Sequence, residues 1–238
     1  MRSLADKTIW KDSEAMSLAA AHFFVAACHQ AIDKHGRFSV ALSGGSTPRR
    51  LYELLASPAF NKNIPWKNVF LFWSDERFVP HSSPESNFHM VKESLLDHID
   101  IPPKNIFAVP ITGNPDQCGQ QYELAIKKFF DHKASSFDWV LLGTGEDGHT
   151  ASLFPHTKVL AENRRLIREV WVPEKQTWRI TFTYPLINKA RQIIFLVAGK
   201  EKAHGVSAVF NKRAKKIFPV QYVNPERSMW LLDEKAAG

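Results

Sequence analysis

Cysteine is scarce in this chain. Two are present among 238 residues, Cys28 and Cys118. No CxxC pair and no Cys/His cluster points to metal or redox work, and a reducing compartment is expected. Cys28 ends the apolar stretch Phe23 to Cys28 and reads as a small core residue. No apolar run approaches the roughly 20 residues that span a bilayer. The first residues, Met1 to Glu14, are polar and lack a signal-peptide pattern, so the expected location is cytoplasmic. There is no repeat and no low-complexity linker. The proline patches Pro80 to Pro84 and Pro102 to Pro103 are short enough to be loops, so one domain over residues 1–238 is expected. Some chemistries are missing as well. There is no GxSxG elbow for an acyl-serine esterase, no HExxH for zinc, no Walker lysine spacing and no GxGxxG fingerprint.

What is present describes a globular chain. Hydrophobic residues make up 44% and charged residues 23%, enough for a substantial core. The formal net charge of +7 admits nucleic acid, an anionic membrane or an acidic metabolite as partner. Its one dense basic run, Lys212-Arg213-Ala214-Lys215-Lys216, reads as a solvated helix face.

Short apolar runs alternate with helical segments. Asp12 or Ser13 caps a helix that stops at Gly36. Strands are expected at Phe38 to Leu42, Val69 to Trp73, Ile106 to Val109, Phe137 to Leu142, Arg179 to Tyr184, Gln192 to Val197 and Met229 to Leu232. Helices are expected at Pro48 to Leu55 with Thr47 as N-cap, Asn87 to Asp97, Asp116 to Phe130 and from Lys200 to Phe210. That alternation implies an α/β, Rossmann-like fold, with a mainly parallel sheet flanked by helices on both faces.

Ligands of such sheets bind beyond the carboxyl ends of the strands. The segments found there are Ser43-Gly44-Gly45-Ser46-Thr47-Pro48, Ser74-Asp75-Glu76-Arg77, Gly143 to Pro155, and Gly199-Lys200. The first joins two glycines to a helix start, which suits a phosphate. Asp75 and Arg77 follow a strand buried on both faces. The third has three glycines, Gly143, Gly145 and Gly148, and delivers Asp147 and His149. A positioned imidazole accepts a proton from water near neutral pH. Arg77, Arg179 and Lys200 together can clamp a dianion. His22, His29 and His35 read as ordinary residues on or near the first helix.

Taken in series, SGGSTP, then SDERFVP followed by Ser86-Asn87, then GTGEDGHTASLFP, this chain resembles the 6-phosphogluconolactonases of the pentose phosphate pathway, within the glucosamine-6-phosphate isomerase/6-phosphogluconolactonase family. The motifs run from about Phe38 to Lys200. The resemblance implies metal-free hydrolysis of a phosphorylated sugar δ-lactone, with no cofactor. It makes His149 the general base and places Asp75 in the site, orienting His149 or the substrate. Arg77, Arg179 and Lys200, with the Ser43 to Thr47 turn, hold the phosphate or neighbouring sugar oxygens. Asn87 and Gly145 join the substrate-binding set. The related deaminases carry a catalytic glutamate where Phe154 stands here, which disfavours ring opening and amine loss. A sugar-phosphate isomerase or deaminase and a non-catalytic sugar-phosphate sensor are the alternatives. No stretch is left for a DNA-binding helix pair, so neither nucleic acid nor membrane is expected as a partner. The sequence does not set the oligomeric state, and a monomer is the expectation.

Overall fold

The computed structural model describes residues 6–132, 135–211 and 217–238. The basic run at 212–216 lies outside the described residues. Seven parallel strands form the main sheet: β1 (Asp6–Trp10), β2 (Phe38–Leu42), β3 (Val69–Trp73), β5 (Ile106–Phe107), β6 (Trp139–Leu142), β9 (Gln192–Val197) and β10 (Ser228–Asp233). Three further strands, β4 (Asp75–Arg77), β7 (Ile167–Val172) and β8 (Thr177–Phe182), make a small antiparallel sheet. The helices are α1 (Ser13–His35), α2 (Ser46–Ala56), α3 (Asn87–Ser94), α4 (Pro115–Phe129), α5 (Tyr184–Ile187), α6 (Ala203–Phe210) and α7 (Glu234–Ala237).

All five residues of β2 are buried, because a parallel strand in a layered α/β fold is covered on both faces. The strand order is β1-β10-β9-β6-β2-β3-β5. From β2 the chain moves outward through β3 to β5, then returns to the other side of β2 as β6. That reversal opens a crevice at the carboxyl ends of β2 and β6.

Local chemistry accounts for the elements. The Asp12 side chain accepts from the Ala15 N–H at 2.8 Å and starts α1. Gly36, at φ 81°, ends it, with its N–H bonded to the Ile32 carbonyl. By length and composition α1 is apolar enough to cross a membrane, which corrects the expectation that no segment is. Much of its apolar character comes from small alanines. Its inner face, including Met16, Ala20, Phe24 and Cys28, packs into the core. There the Phe24 ring meets Phe38 and Trp139 edge-on, with centroids 5.2 and 5.7 Å away.

The small sheet was not expected. Asp75 to Arg77 reads as a loop in the sequence but pairs with β8 as a strand. The strand expected from Arg179 begins at Thr177 and ends at Phe182. β1 hides in a polar N-terminal stretch because it is an edge strand with four exposed residues. The N-cap of α2 is Gly45, not Thr47. Gly45 turns the chain at φ 108°, and Ser46 and Thr47 are already helical.

Two tyrosines complete the carboxyl edge. β2 pairs with β6 only at Val40 and Ala41, and β3 with β5 only at Leu71 and Phe72. Beyond those pairs the backbone needs other partners. The buried Tyr52 hydroxyl accepts from the Ser43 N–H at 3.0 Å and donates to the Ser43 carbonyl at 2.8 Å. Tyr122 does the same for Trp73, at 2.8 and 3.1 Å. Burial pushes both phenols far above their ordinary range, so they stay neutral donors. Tyr52→Phe leaves a buried N–H and a buried C=O unpaired. It is expected to destabilise the fold by about 1–3 kcal/mol, measured by urea unfolding, with an unchanged m-value.

Candidate active site

The predicted loops meet in one cleft of about 240 Å³ above the crevice. The Ser43 to Thr47 turn lines one part of it. Asp75, Arg77, Asn87, Gly145, His149 and Arg179 also line it. At the start of α2, which lines the cleft, no side chain among the described residues caps the helix and the first turn holds no acid, an arrangement that suits an anion.

Arg77 and Arg179 stand directly opposite each other on β4 and β8. Like charges in that register repel. Asn87 holds the first of them. Its Oδ1 accepts from Arg77 Nη1 at 2.8 Å, and its Nδ2 donates to the Asp75 carbonyl at 2.8 Å. Arg77 Nη1 also donates to the Glu85 carbonyl at 2.7 Å. The second is more deeply set, with its side chain 11% exposed and 3.9 Å from the Asp75 carboxylate. Burial pulls the Arg179 pKa below its ordinary value; Asp75 opposes this shift and Arg77 adds to it. Its Nε is buried with no hydrogen-bond partner among the described residues. Two opposed guanidinium groups with unused donors suit a ligand carrying at least two negative charges.

The Gly143 to Pro155 loop is tied to itself. Thr150 Oγ1 donates to the Gly143 carbonyl at 2.9 Å, and the Gly145 N–H to the His149 carbonyl at 3.0 Å. A Cβ at Gly145 would overlap the His149 ring, so that position has no room for a side chain. His149 Nδ1 lies 2.6 Å from Asp147 Oδ1. As donor, Nδ1–H leaves Nε2 as a free base. Burial would raise the Asp147 carboxyl, but the hydrogen bond and charge of His149 outweigh it and hold Asp147 below its ordinary value. The His149 ring stacks on Phe154, centroids 4.1 Å apart, and the Arg179 guanidinium lies over the same Phe154 ring at 5.4 Å.

Of the predicted residues, Lys200 lies outside the cleft lining, and Asp75 lies within it with its carboxylate bonded to Ser152. Lys200 is exposed and does not line the cleft, whereas Lys202 does. The chain enters a 3₁₀ turn at Lys200, and the later lysine of that turn is the one that borders the cleft. Asp75 does not hold the imidazole. The carboxylate bonded to His149 is Asp147, two residues away in the same turn. Asp75 Oδ2 accepts instead from Ser152 Oγ at 2.6 Å. Ser152, whose N–H also reaches Thr181 Oγ1 at 3.1 Å, pins the loop to the small sheet. Sequence reasoning missed Ser152 and Lys202. Asp147 carried a signal, its place between two glycines beside His149.

The family model described as glucosamine-6-phosphate isomerases/6-phosphogluconolactonase matches residues 11–232. The chain is 44% identical over 213 residues to a 6-phosphogluconolactonase of Synechocystis sp., covering 87% of this chain and 86% of that one. A solved 6-phosphogluconolactonase from Trypanosoma cruzi superimposes with a TM-score of 0.88 at 26% identity, covering 100% of this chain and 97% of that one. A monomeric glucosamine-6-phosphate deaminase shares the fold, with a TM-score of 0.82 at 20% identity and coverage of 98% of each chain. The protein belongs to the glucosamine-6-phosphate isomerase/6-phosphogluconolactonase family.

Gly44 is packed against Asn87, and a Cβ there would overlap the carboxamide. Gly44→Ala is therefore expected to displace the brace on Arg77. Calorimetric titration with inorganic phosphate should show affinity lower by about tenfold, the loss of roughly one charge-assisted hydrogen bond.

Proposed function

We propose that the protein hydrolyses 6-phospho-D-glucono-1,5-lactone to 6-phosphogluconate, the ring-opening step of the oxidative pentose phosphate pathway. The observation that carries this reading is the joining of two features in one cleft. The opposed pair Arg77 and Arg179 forms an anion seat, and the His149 imidazole has its Nδ1 engaged by Asp147. Named lactonases similar over nearly the whole chain support the choice of substrate.

The phosphate binds Arg77, Arg179 and the N–H groups at the start of α2, with Lys202 at the rim. This anchors the ring ester beside His149. Asp147 accepts the hydrogen bond from Nδ1–H, so Nε2 carries the lone pair. Water attacks the C1 carbonyl carbon as Nε2 takes its proton, and the new C–O bond gives a tetrahedral oxyanion. Backbone N–H groups of the Gly-rich turns stabilise that charge. The intermediate collapses, the bond from C1 to the ring oxygen breaks, and the imidazolium returns its proton to that oxygen. Water has been added across the ester, and protein groups alone carry the proton. Phe154 supplies an aromatic face to the imidazole and no second acid beside it. The reading takes residues 1–238 as one domain of a soluble, cytoplasmic enzyme acting on a small anionic metabolite.

His149→Ala is expected to lower kcat by about 10²- to 10⁴-fold with KM changed by less than about threefold, because the base acts on the reacting water and not on the phosphate. Acid release from freshly prepared 6-phosphogluconolactone, corrected for spontaneous hydrolysis, measures both constants. A wild-type rate equal to background removes the lactonase reading and turns attention to amino-sugar phosphates. Asp147→Asn keeps the shape of the turn but no longer fixes the tautomer. It is expected to lower kcat by at least about tenfold in the same assay, again with little change in KM.

A further inference from the structure

Glu76 takes no part in the reaction proposed above, yet it is 1% exposed and forms no ion pair among the described residues. Strand alternation turns its side chain away from the face shared by Asp75 and Arg77. Its Oε1 accepts from the N–H groups of Arg77 and Asn87, both at 2.7 Å. Its Oε2 accepts from the Phe88 N–H at 2.7 Å and from Ser86 Oγ at 3.0 Å. Burial raises the carboxyl above its ordinary value, and these four bonds only partly offset that. An acid whose pKa is raised by folding binds its proton more tightly in the folded state. Stability therefore falls as pH climbs through the folded pKa, and at neutral pH the fold carries that cost.

The cost coincides with an arrangement that reaches the cleft. Asn87 and Phe88 open α3, and their N–H groups are among the four that a helix start leaves unpaired. Ser86 caps the helix, its Oγ accepting from the His89 N–H at 3.2 Å, and Glu76 takes the N–H groups of Asn87 and Phe88, which leaves the Asn87 side chain outside the capping. It bridges the Asp75 carbonyl and the Arg77 guanidinium instead. We infer that Glu76 is a positioning residue for the anion seat: by clamping the first turn of α3 to β4, it fixes Asn87 and, through Asn87, sets Arg77 opposite Arg179. The inference rests on the reading of that cleft as a phosphate site.

Glu76→Gln tests it. The amide has nearly the same shape but presents an NH₂ group to two of the four donors, so the clamp opens on one side. Inorganic phosphate, titrated calorimetrically, should bind about tenfold more weakly. KM for 6-phosphogluconolactone should rise by a similar factor, with kcat within about threefold of wild type. In an Arg77→Lys background, which lacks the guanidinium nitrogen that Asn87 holds, Glu76→Gln should add less than about twofold. Unchanged phosphate affinity and KM with a lowered melting temperature would make Glu76 a helix cap and nothing more. Effects that multiply in the double variant would remove Arg77 as its route. If Glu76→Gln does not fold, Ser86→Ala deletes one of the four bonds together with the cap bond to the His89 N–H, and unchanged phosphate affinity and KM in that variant overturn the inference. If the wild type binds phosphate but leaves the lactone intact, the lactonase reading fails on its own. The phosphate titrations then still decide the role of Glu76.

Discussion

Arg77 and Arg179 face each other across paired antiparallel strands, and two guanidinium groups in that register repel. Much of the cleft can be understood as holding them there before a ligand arrives. Asn87 and the Glu85 carbonyl grip the first. Asp75 lies within ion-pair distance of the second, and the Phe154 ring lies beside it. The small antiparallel sheet brings the two residues into register as direct partners. Held in this way, the two guanidinium groups are fixed in place by the protein's own contacts, Arg179 the more deeply buried of the two.

The same economy governs the other half of the cleft. The loop that bears His149 is fastened by its own backbone, by Thr150 and by Ser152, the last of which reaches Asp75 and Thr181. Asp75 is thus shared between the two halves, contacting Arg179 on one side and the histidine loop on the other. Phe154 is shared in the same way, stacked on the imidazole and lying under the guanidinium. A displacement on either side is felt on the other through these two residues.

The inner strands of the parallel sheet were legible because they are mostly apolar runs. β2, β3 and β9 have the predicted limits, and the one polar residue inside β2, Ser39, is buried with its Oγ donating to Asp138 Oδ2 at 2.8 Å. β1, β4 and β7 were not legible. β1 is an exposed edge, β4 is three residues that spell two acids and a base, and β7 carries Arg168 and Glu169, which pair with each other. Of the site, the glycine-rich turns and His149 stood out because strained backbone and a lone imidazole are local signals. Ser152 and Lys202 did not, because their relevance comes from what the fold brings near them. That Lys202 and not Lys200 lines the cleft has the same origin. Both follow Gly199, and only the path of a single 3₁₀ turn separates a solvent-facing lysine from one at the cleft.

The two buried tyrosines have a further consequence, for hydrogen exchange. Beside a cleft, the backbone at a strand's end ordinarily trades its amide protons with water through small local openings. The amides of Ser43 and Trp73 are bonded instead to phenols anchored in the core, on helices α2 and α4. To release either proton, a whole aromatic ring must withdraw from its packing. These two amides are therefore expected to exchange with the slow interior of the protein rather than with its surface.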